Sequence, residues 1–200
     1  MQRKMLVVGV LYFAEGLPYG FLFKTLSYYL STEGLSLAAI GMAGLLHLPW
    51  TFKFIWAPLV DRFGRRAPWI VTCQLLIAGS MLGLTNLVPG GPAFFGLLSL
   101  MALASATQDI AIDGYTIDIL TPEEQGPANG VRVTTYRLAL IASGGLAVWI
   151  SEYLGWFGAF ALMAVSLLLV TVMIVAWPLA RQPRPQLASE SAKRATKSIV

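Results

Sequence analysis

The sequence predicts an all-α integral membrane protein of six transmembrane helices, and three observations lead there. Of its 200 residues, 56% are hydrophobic and only 12% charged, with a mean hydropathy of +0.69, whereas a soluble domain is typically about a quarter charged. Apolar runs long enough to cross a bilayer, roughly 20 residues each, recur along the whole chain. The connections between them are short and punctuated, as in STEGLS, VPGGP and TPEEQGP. Little sequence is left for a water-exposed domain, so residues 1–180 are expected to form one helix bundle, which satisfies its backbone polar groups internally. Residues 181–200, RQPRPQLASESAKRATKSIV, are polar, basic and proline-containing and are expected to be a cytoplasmic tail or a truncated linker between two halves.

The six spans are expected over 5–30, 35–59, 69–87, 93–120, 127–150 and 156–180. The first follows MQRK and imitates a secretory signal, but it is too long for one. It also contains Glu15 and Lys24 and shows no small-residue cleavage site, so it reads as a retained helix. The second ends in a basic loop that delimits the third, and VPGGP separates the third from the fourth. TPEEQGP and the segment from Ser151 to Gly155 bound the fifth.

Charge placement orients this bundle. Arg3, Lys4, Arg62, Arg65, Arg66, Arg181, Arg184, Lys193, Arg194 and Lys197 all fall in segments on one side, while the opposite connections carry no Lys or Arg and only Glu33 and Glu152. Basic short loops stay in the cytoplasm, which predicts cytoplasmic termini. The formal net charge of +4 follows from this bias; without an aromatic-interleaved basic patch it makes no case for nucleic-acid binding. Cys73 is the only cysteine and His47 the only histidine. An intramolecular disulfide and a cysteine metal cluster are thereby excluded, no metal site or organic cofactor is expected, and His47 reads as a packing or hydrogen-bonding residue rather than a proton relay. No nucleophile with its base and no nucleotide loop is recognisable, which argues against an enzyme.

The fourth span holds the densest signal. ASATQDIAIDGYTIDIL, from Ala104 to Leu120, sets Gln108, Asp109, Asp113 and Asp118 in an otherwise apolar segment. A charge near the bilayer centre costs roughly 2.5 to 3.5 kcal/mol on insertion scales, and buried carboxylates of this kind mark transport pathways by default. At about 1.5 Å rise per residue, Asp109 and Arg137 both lie roughly 15 to 17 Å from the cytoplasmic surface and are expected to pair. Asp113 shares the face of Asp109, one helical turn on, and Lys53 and Arg132 approach at similar depth. The expected network is Asp109, Asp113, Arg137, Lys53 and Arg132. Two readings of it stand. One of the aspartates is the titrating group of a proton-driven switch, or the residues are permanent ion pairs that specify packing. Glu15, without a neighbouring cation in sequence, is an alternative proton site. Tyr12, Glu15, Tyr19 and Phe23 recur at helical spacing, either as bundle packing or as a stripe that stacks on a sugar. Arg137 is a candidate anion clamp, because its planar fork binds carboxylate or phosphate bidentately, and Gln108 is a further candidate substrate contact. Gly16 with Gly20 and Gly79 with Gly83 are GxxxG matches that read as close helix packing.

The loop APLVDRFGRR, Ala57 to Arg66, carries Asp61, Arg62, Gly64, Arg65 and Arg66 and resembles the G-x-x-x-D-R-x-G-R-R signature of major facilitator superfamily transporters, with Ala57 where that family usually has Gly. Such a cluster can break and re-form as helix groups rock, and Asp118, near the same end, is expected to contact its arginines. LYFAEGLPYG, LPWTFKFIWAPLVDRFGRR, SATQDIAIDGY and YRLALIASGGLAVWI, in that order, resemble the AmpG-type muropeptide permeases; the related acetyl-CoA transporters share Q-D-I-A-x-D-G. The resemblance implies a proton-driven importer of anhydro-muropeptides in the bacterial cytoplasmic membrane. Members of the family have at least twelve spans in two six-helix halves, so six spans are expected to be one half of a major facilitator fold. Its expected partners are the lipid bilayer, a small-molecule substrate, protons and a second six-helix half, either a second copy or a separate chain. Two alternatives remain open: transport of an acyl-CoA or other large anion, and a non-transporting subunit of a larger complex.

Overall fold

A computed structural model describes residues 2–62 and 65–176. It is helical, with five runs long and apolar enough to cross a membrane: Gln2–Thr32 (α1), Leu37–Ile55 (α2), Arg66–Leu84 (α3), Pro92–Ile119 (α4) and the 55-residue Pro122–Ala176. The last is broken at Gly155 (φ 67°, ψ 175°), which divides it into α5 (122–154) and α6 (156–176) and gives six spans among the described residues. At that φ/ψ only glycine is comfortable, so Gly155→Ala is expected to cost about 1–3 kcal/mol, read as a lower unfolding temperature in detergent.

α5 begins five residues before the expected Pro127. Thr121 and Glu124 form a reciprocal capping box, and Pro122 fills the first helical position, where a missing N–H costs nothing. Pro127 therefore lies inside α5, and α4 and α5 are joined by Leu120 and Thr121 alone. The expected connection from Ser151 to Gly155 is helical apart from Gly155 itself.

α1 packs along α5 through a glycine stripe. A Cβ on Gly16 would lie 2.7 Å from the Ala139 Cβ and 3.0 Å from the Tyr136 carbonyl oxygen, and one on Gly20 would lie 2.0 Å from the Ser143 Oγ. Both helices carry a π-turn at the same level, Phe21–Thr25 in α1 and Ala142–Leu146 in α5. A π-turn interrupts the regular i→i−4 ladder, and here the Thr25 hydroxyl donates to the Ser143 carbonyl. The second GxxxG pair does not work this way: Gly79 faces open space, and a Cβ on Gly83 would meet only the end of the Leu97 side chain, at 2.8 Å.

α3 packs against α4 and α6, joined to α6 by a buried hydrogen bond from the Thr171 hydroxyl to Gln74 Oε1 at 2.7 Å. Tyr29, Phe94, Trp156 and Phe160 close the core at one end, with Tyr29 edge to face with Trp156 and Phe160 and tilted against Phe94. α2 is the irregular element. It has 3-10 segments at Ala43–His47 and Lys53–Ile55 and continues past Trp56 into a helix over Ala57–Arg62, with most of its surface exposed. Lys4 meets Glu124 and Arg66 meets Asp61 and Asp118, so the described basic ends gather at one end of the bundle beside the α4–α5 connection.

Candidate functional site

α1, α2, α4 and α5 converge on a cavity of about 320 Å³ lined by Glu15, Lys53, Asp109, Asp113, Arg132 and Arg137, with Tyr136 and Val133. Carboxylate oxygens of Glu15, Asp109 and Asp113 all lie within 4.8 Å of one another. Like charges at that separation repel by roughly 3.5 kcal/mol at an effective dielectric of about 20, so the cluster persists only with compensation. Two of the three acids have it. Lys53 from α2 donates to Asp109 Oδ2, and Arg132 from α5 lies 3.2 Å from Asp113 Oδ1. Glu15 is buried, 7% exposed, and its Oε2 has no hydrogen-bond partner. Because Asp109 and Asp113 are already held by protein cations, the trio is a cation-paired cluster with one carboxylate left over rather than an open ligand set for a metal.

The expected pairing of Asp109 with Arg137 is not what the structure has. Arg137 lines the same cavity, but Asp109 is held by Lys53, and Arg137 has no ion-pair partner among the described residues. Rise per residue fixes depth but not direction around the helix axis, and the 3-10 turn Lys53–Ile55 sets where Lys53 points. Arg137 is thus an exposed guanidinium at the mouth of the charged cavity.

Tyr12 does not stand open to a ligand. It is buried, its hydroxyl donates to Asp113 Oδ1 at 2.6 Å, and the Arg132 guanidinium lies 4.6 Å over its ring centroid. Tyr19 joins an aromatic cluster instead, with Phe23 at 4.6 Å, Trp50 at 5.2 Å and Tyr136 at 6.0 Å between ring centroids. His47 sits in the same cluster, edge to face with Phe23 at 4.8 Å. Trp50 and Tyr136 were missed by sequence reasoning; Trp50 lies three residues after His47 on one face of its helix, and Tyr136 lies one helical turn after Arg132. Gln108 is fully buried, its amide has no partner, and it lines neither the charged cavity nor the second cavity described below.

At the basic end, Arg66 is the centre of the loop cluster. It donates to Asp61 Oδ1 and lies 3.7 Å from Asp118 Oδ2. Its guanidinium crosses Gly114, where an added Cβ would be 2.6 Å from its Cζ. Gly114→Ala is therefore expected to displace the Arg66 side chain from α4 and part it from Asp118, read as a thermal midpoint in detergent that no longer responds to Asp118→Asn. Arg62 and Arg65 are exposed, and Gly64 lies outside the described residues, as does the 181–200 tail.

Comparison with known proteins fits this architecture. The chain is 36% identical over 190 residues to the anhydromuropeptide permease of Escherichia coli (strain K12), a match covering 91% of this chain and 38% of that protein. It is 33% identical over 189 residues to an uncharacterized protein of Haemophilus influenzae, covering 91% and 44%. A putative transporter, AmpG 4, of Rickettsia conorii matches at 28% over 184 residues, covering 86% and 44%. The chain thus spans less than half the length of these relatives. The profile of the Major Facilitator Superfamily, a family of transporters rather than enzymes, matches residues 5–200. A six-span helical bundle, a buried charged cavity and a match along nearly the whole chain place this protein in the Major Facilitator Superfamily.

Proposed function

We propose that this chain is the N-terminal six-helix part of a proton-coupled importer of muropeptides or related sugar conjugates in a bacterial cytoplasmic membrane, with its basic end and both termini in the cytoplasm. One observation carries the reading: three carboxylates share one buried cavity, and only two have a protein cation. Asp109 and Asp113 are held by Lys53 and Arg132, which leaves Glu15 as the carboxylate that loads and releases a proton. Protonating Glu15 removes one of three mutually repelling charges and so favours a different packing of α1 against α4. Arg137, exposed at the mouth, is the clamp for a substrate carboxylate. The aromatic cluster of Tyr19, Phe23 and Trp50 offers faces for sugar rings beside it.

The bundle works with a second one. α5 exposes Asn129, Thr134 and Arg137, and α2 exposes His47, groups that lipid tails leave unsolvated. A second six-helix half covers that face. Native mass spectrometry of the nanodisc-embedded protein is expected to give a mass of two six-helix units. The relatives' name favours a muropeptide over an acyl-CoA.

Uptake tests the coupling. In cells without a muropeptide permease of their own, Glu15→Gln is expected to keep exchange of labelled anhydro-muropeptide across the membrane but to lose its uphill accumulation at least tenfold. Accumulation at the wild-type level under the same proton gradient would sink the assignment of Glu15.

A further inference from the structure

A second cavity of about 400 Å³ lies between α1, α4 and α5, toward the basic end of the bundle. Tyr12, Asp113 and Arg132 line it, and Asp113 and Arg132 line the charged cavity too. These three residues come from three helices and close on one another. Tyr12 donates to Asp113 at 2.6 Å, Arg132 lies 3.2 Å from the same Oδ1, and its guanidinium covers the Tyr12 ring at 4.6 Å. They form a partition between two compartments of different chemistry.

On the far side of the partition the lining is uncharged and mostly apolar: Ile117, Leu120 and Ala128 form the wall, and Thr116, Gln125 and Asn129 supply its polar groups. A volume of about 400 Å³ falls within the roughly 300–1,000 Å³ of small-molecule sites. Thr116 gives the clearest sign of a missing partner. Thr107 and Thr135 each donate to the carbonyl four residues earlier, the ordinary way for a threonine in a helix to satisfy its hydroxyl. Thr116 does not. It is 8% exposed, and its Oγ1 has no hydrogen-bond partner. A buried hydroxyl left without a partner costs about 1–3 kcal/mol, which a ligand in this cavity recovers.

We propose that this cavity is a second binding station, for an uncharged group rich in hydroxyls and amides. Thr116, Gln125 and Asn129 bind that group, and Arg132, at the partition, takes a carboxylate attached to it. The inference rests on the transporter reading above and deepens it. A sugar conjugate has both parts, so it can hold its anionic end at the partition while the neutral part occupies the second cavity. Passage between the compartments then requires the Tyr12–Asp113–Arg132 contact to open. Because Asp113 belongs to the acid cluster around Glu15, opening is tied to the charge state of that cluster.

Saturation-transfer NMR on the nanodisc-embedded protein tests this with two probes, N-acetylglucosamine, which has hydroxyls and an amide, and N-acetylmuramic acid, which adds a carboxylate. Thr116→Val and Asn129→Leu are each expected to lower transfer to both sugars at least threefold. Arg132→Gln is expected to lower it for the acid alone, and Arg137→Gln to leave N-acetylglucosamine unchanged. Asn129 is exposed, so its variant carries the test if Thr116→Val unfolds, which a thermal melt shows. Wild-type signals from both sugars that survive the Thr116 and Asn129 variants, with the acid lost in Arg137→Gln, overturn the second station and keep the charged cavity. No transfer from wild type to either sugar overturns the station, while the Glu15→Gln uptake result still decides the transporter reading on its own.

Discussion

Gly16→Val is expected to prevent α1 from docking on α5 and to yield little folded protein. The Cβ alone would stand 2.7 Å from the Ala139 Cβ and 3.0 Å from the Tyr136 carbonyl. Neither is the far end of a flexible side chain, so relief requires one helix to move away from the other. Overpacking a core costs typically about 1–3 kcal/mol, and two branched methyl groups against a neighbouring backbone belong at or above the top of that range. Moving α1 also disturbs Tyr12 and Glu15, which lie on the same helix as the stripe. Gly16→Ala, which adds the Cβ alone, is expected to destabilise in the same direction, and Gly79→Ala is its matched control. Gly79 belongs to the same kind of GxxxG pair but meets nothing within 4 Å, so alanine there is expected to be neutral or to stabilise by up to about 1 kcal/mol through helix propensity. Monodispersity in detergent and the thermal midpoint check both. Equal behaviour of the two alanine variants would remove the close approach of α1 and α5 as a determinant of the fold.

The pair of glycines also shows what was legible in the sequence. GxxxG spacing marks helices that can approach closely, but it does not say whether a partner is there, so Gly16 and Gly79 look alike until the bundle is assembled. Hydropathy, by contrast, is a property of each segment alone, and the spans were readable from it to within a few residues. The larger miss, the start of α5, came from reading Pro127 as a boundary when Thr121, Pro122 and Glu124 already supply a complete helix start. At the site, depth was legible because rise per residue is nearly constant: Asp109 and Arg137 do reach the same cavity. Direction was not. The 3-10 turns of α2 and the π-turns of α1 and α5 change the angle per residue, so a regular wheel cannot say that Lys53 rather than Arg137 meets Asp109. Nor could it show that Tyr12 is enclosed by Asp113 and Arg132 while Tyr19 joins Trp50. Those contacts depend on helices distant in sequence, whose packing no local period encodes.

Lys53→Met is expected to be the most damaging change in the charged cavity, and its combination with Asp109→Asn separates two roles of the pair. Without Lys53, Asp109 is a carboxylate with 11% of its side chain exposed, beside two others and with its own cation gone. Removing one member of a buried pair costs about 3–5 kcal/mol, and the 34% exposure of the Lys53 side chain puts this case toward the lower end. Folded yield is expected to fall several-fold. Adding Asp109→Asn removes the uncompensated charge, so the double variant is expected to return to near the wild-type thermal midpoint. Accumulation is not expected to return with it. Glu15 in the double variant has lost its neighbouring carboxylate together with that carboxylate's cation, so a proton on Glu15 no longer acts on the Lys53–Asp109 pair. The step that couples protonation to rearrangement loses a contact it can break. A double variant that regains both stability and uphill uptake would make Lys53 and Asp109 a packing pair and leave the coupling to Asp113 and Glu15 alone. Recovery of the fold without recovery of accumulation ties the pair to the proton-coupled step, because the same protein then assembles yet no longer converts a proton gradient into uptake.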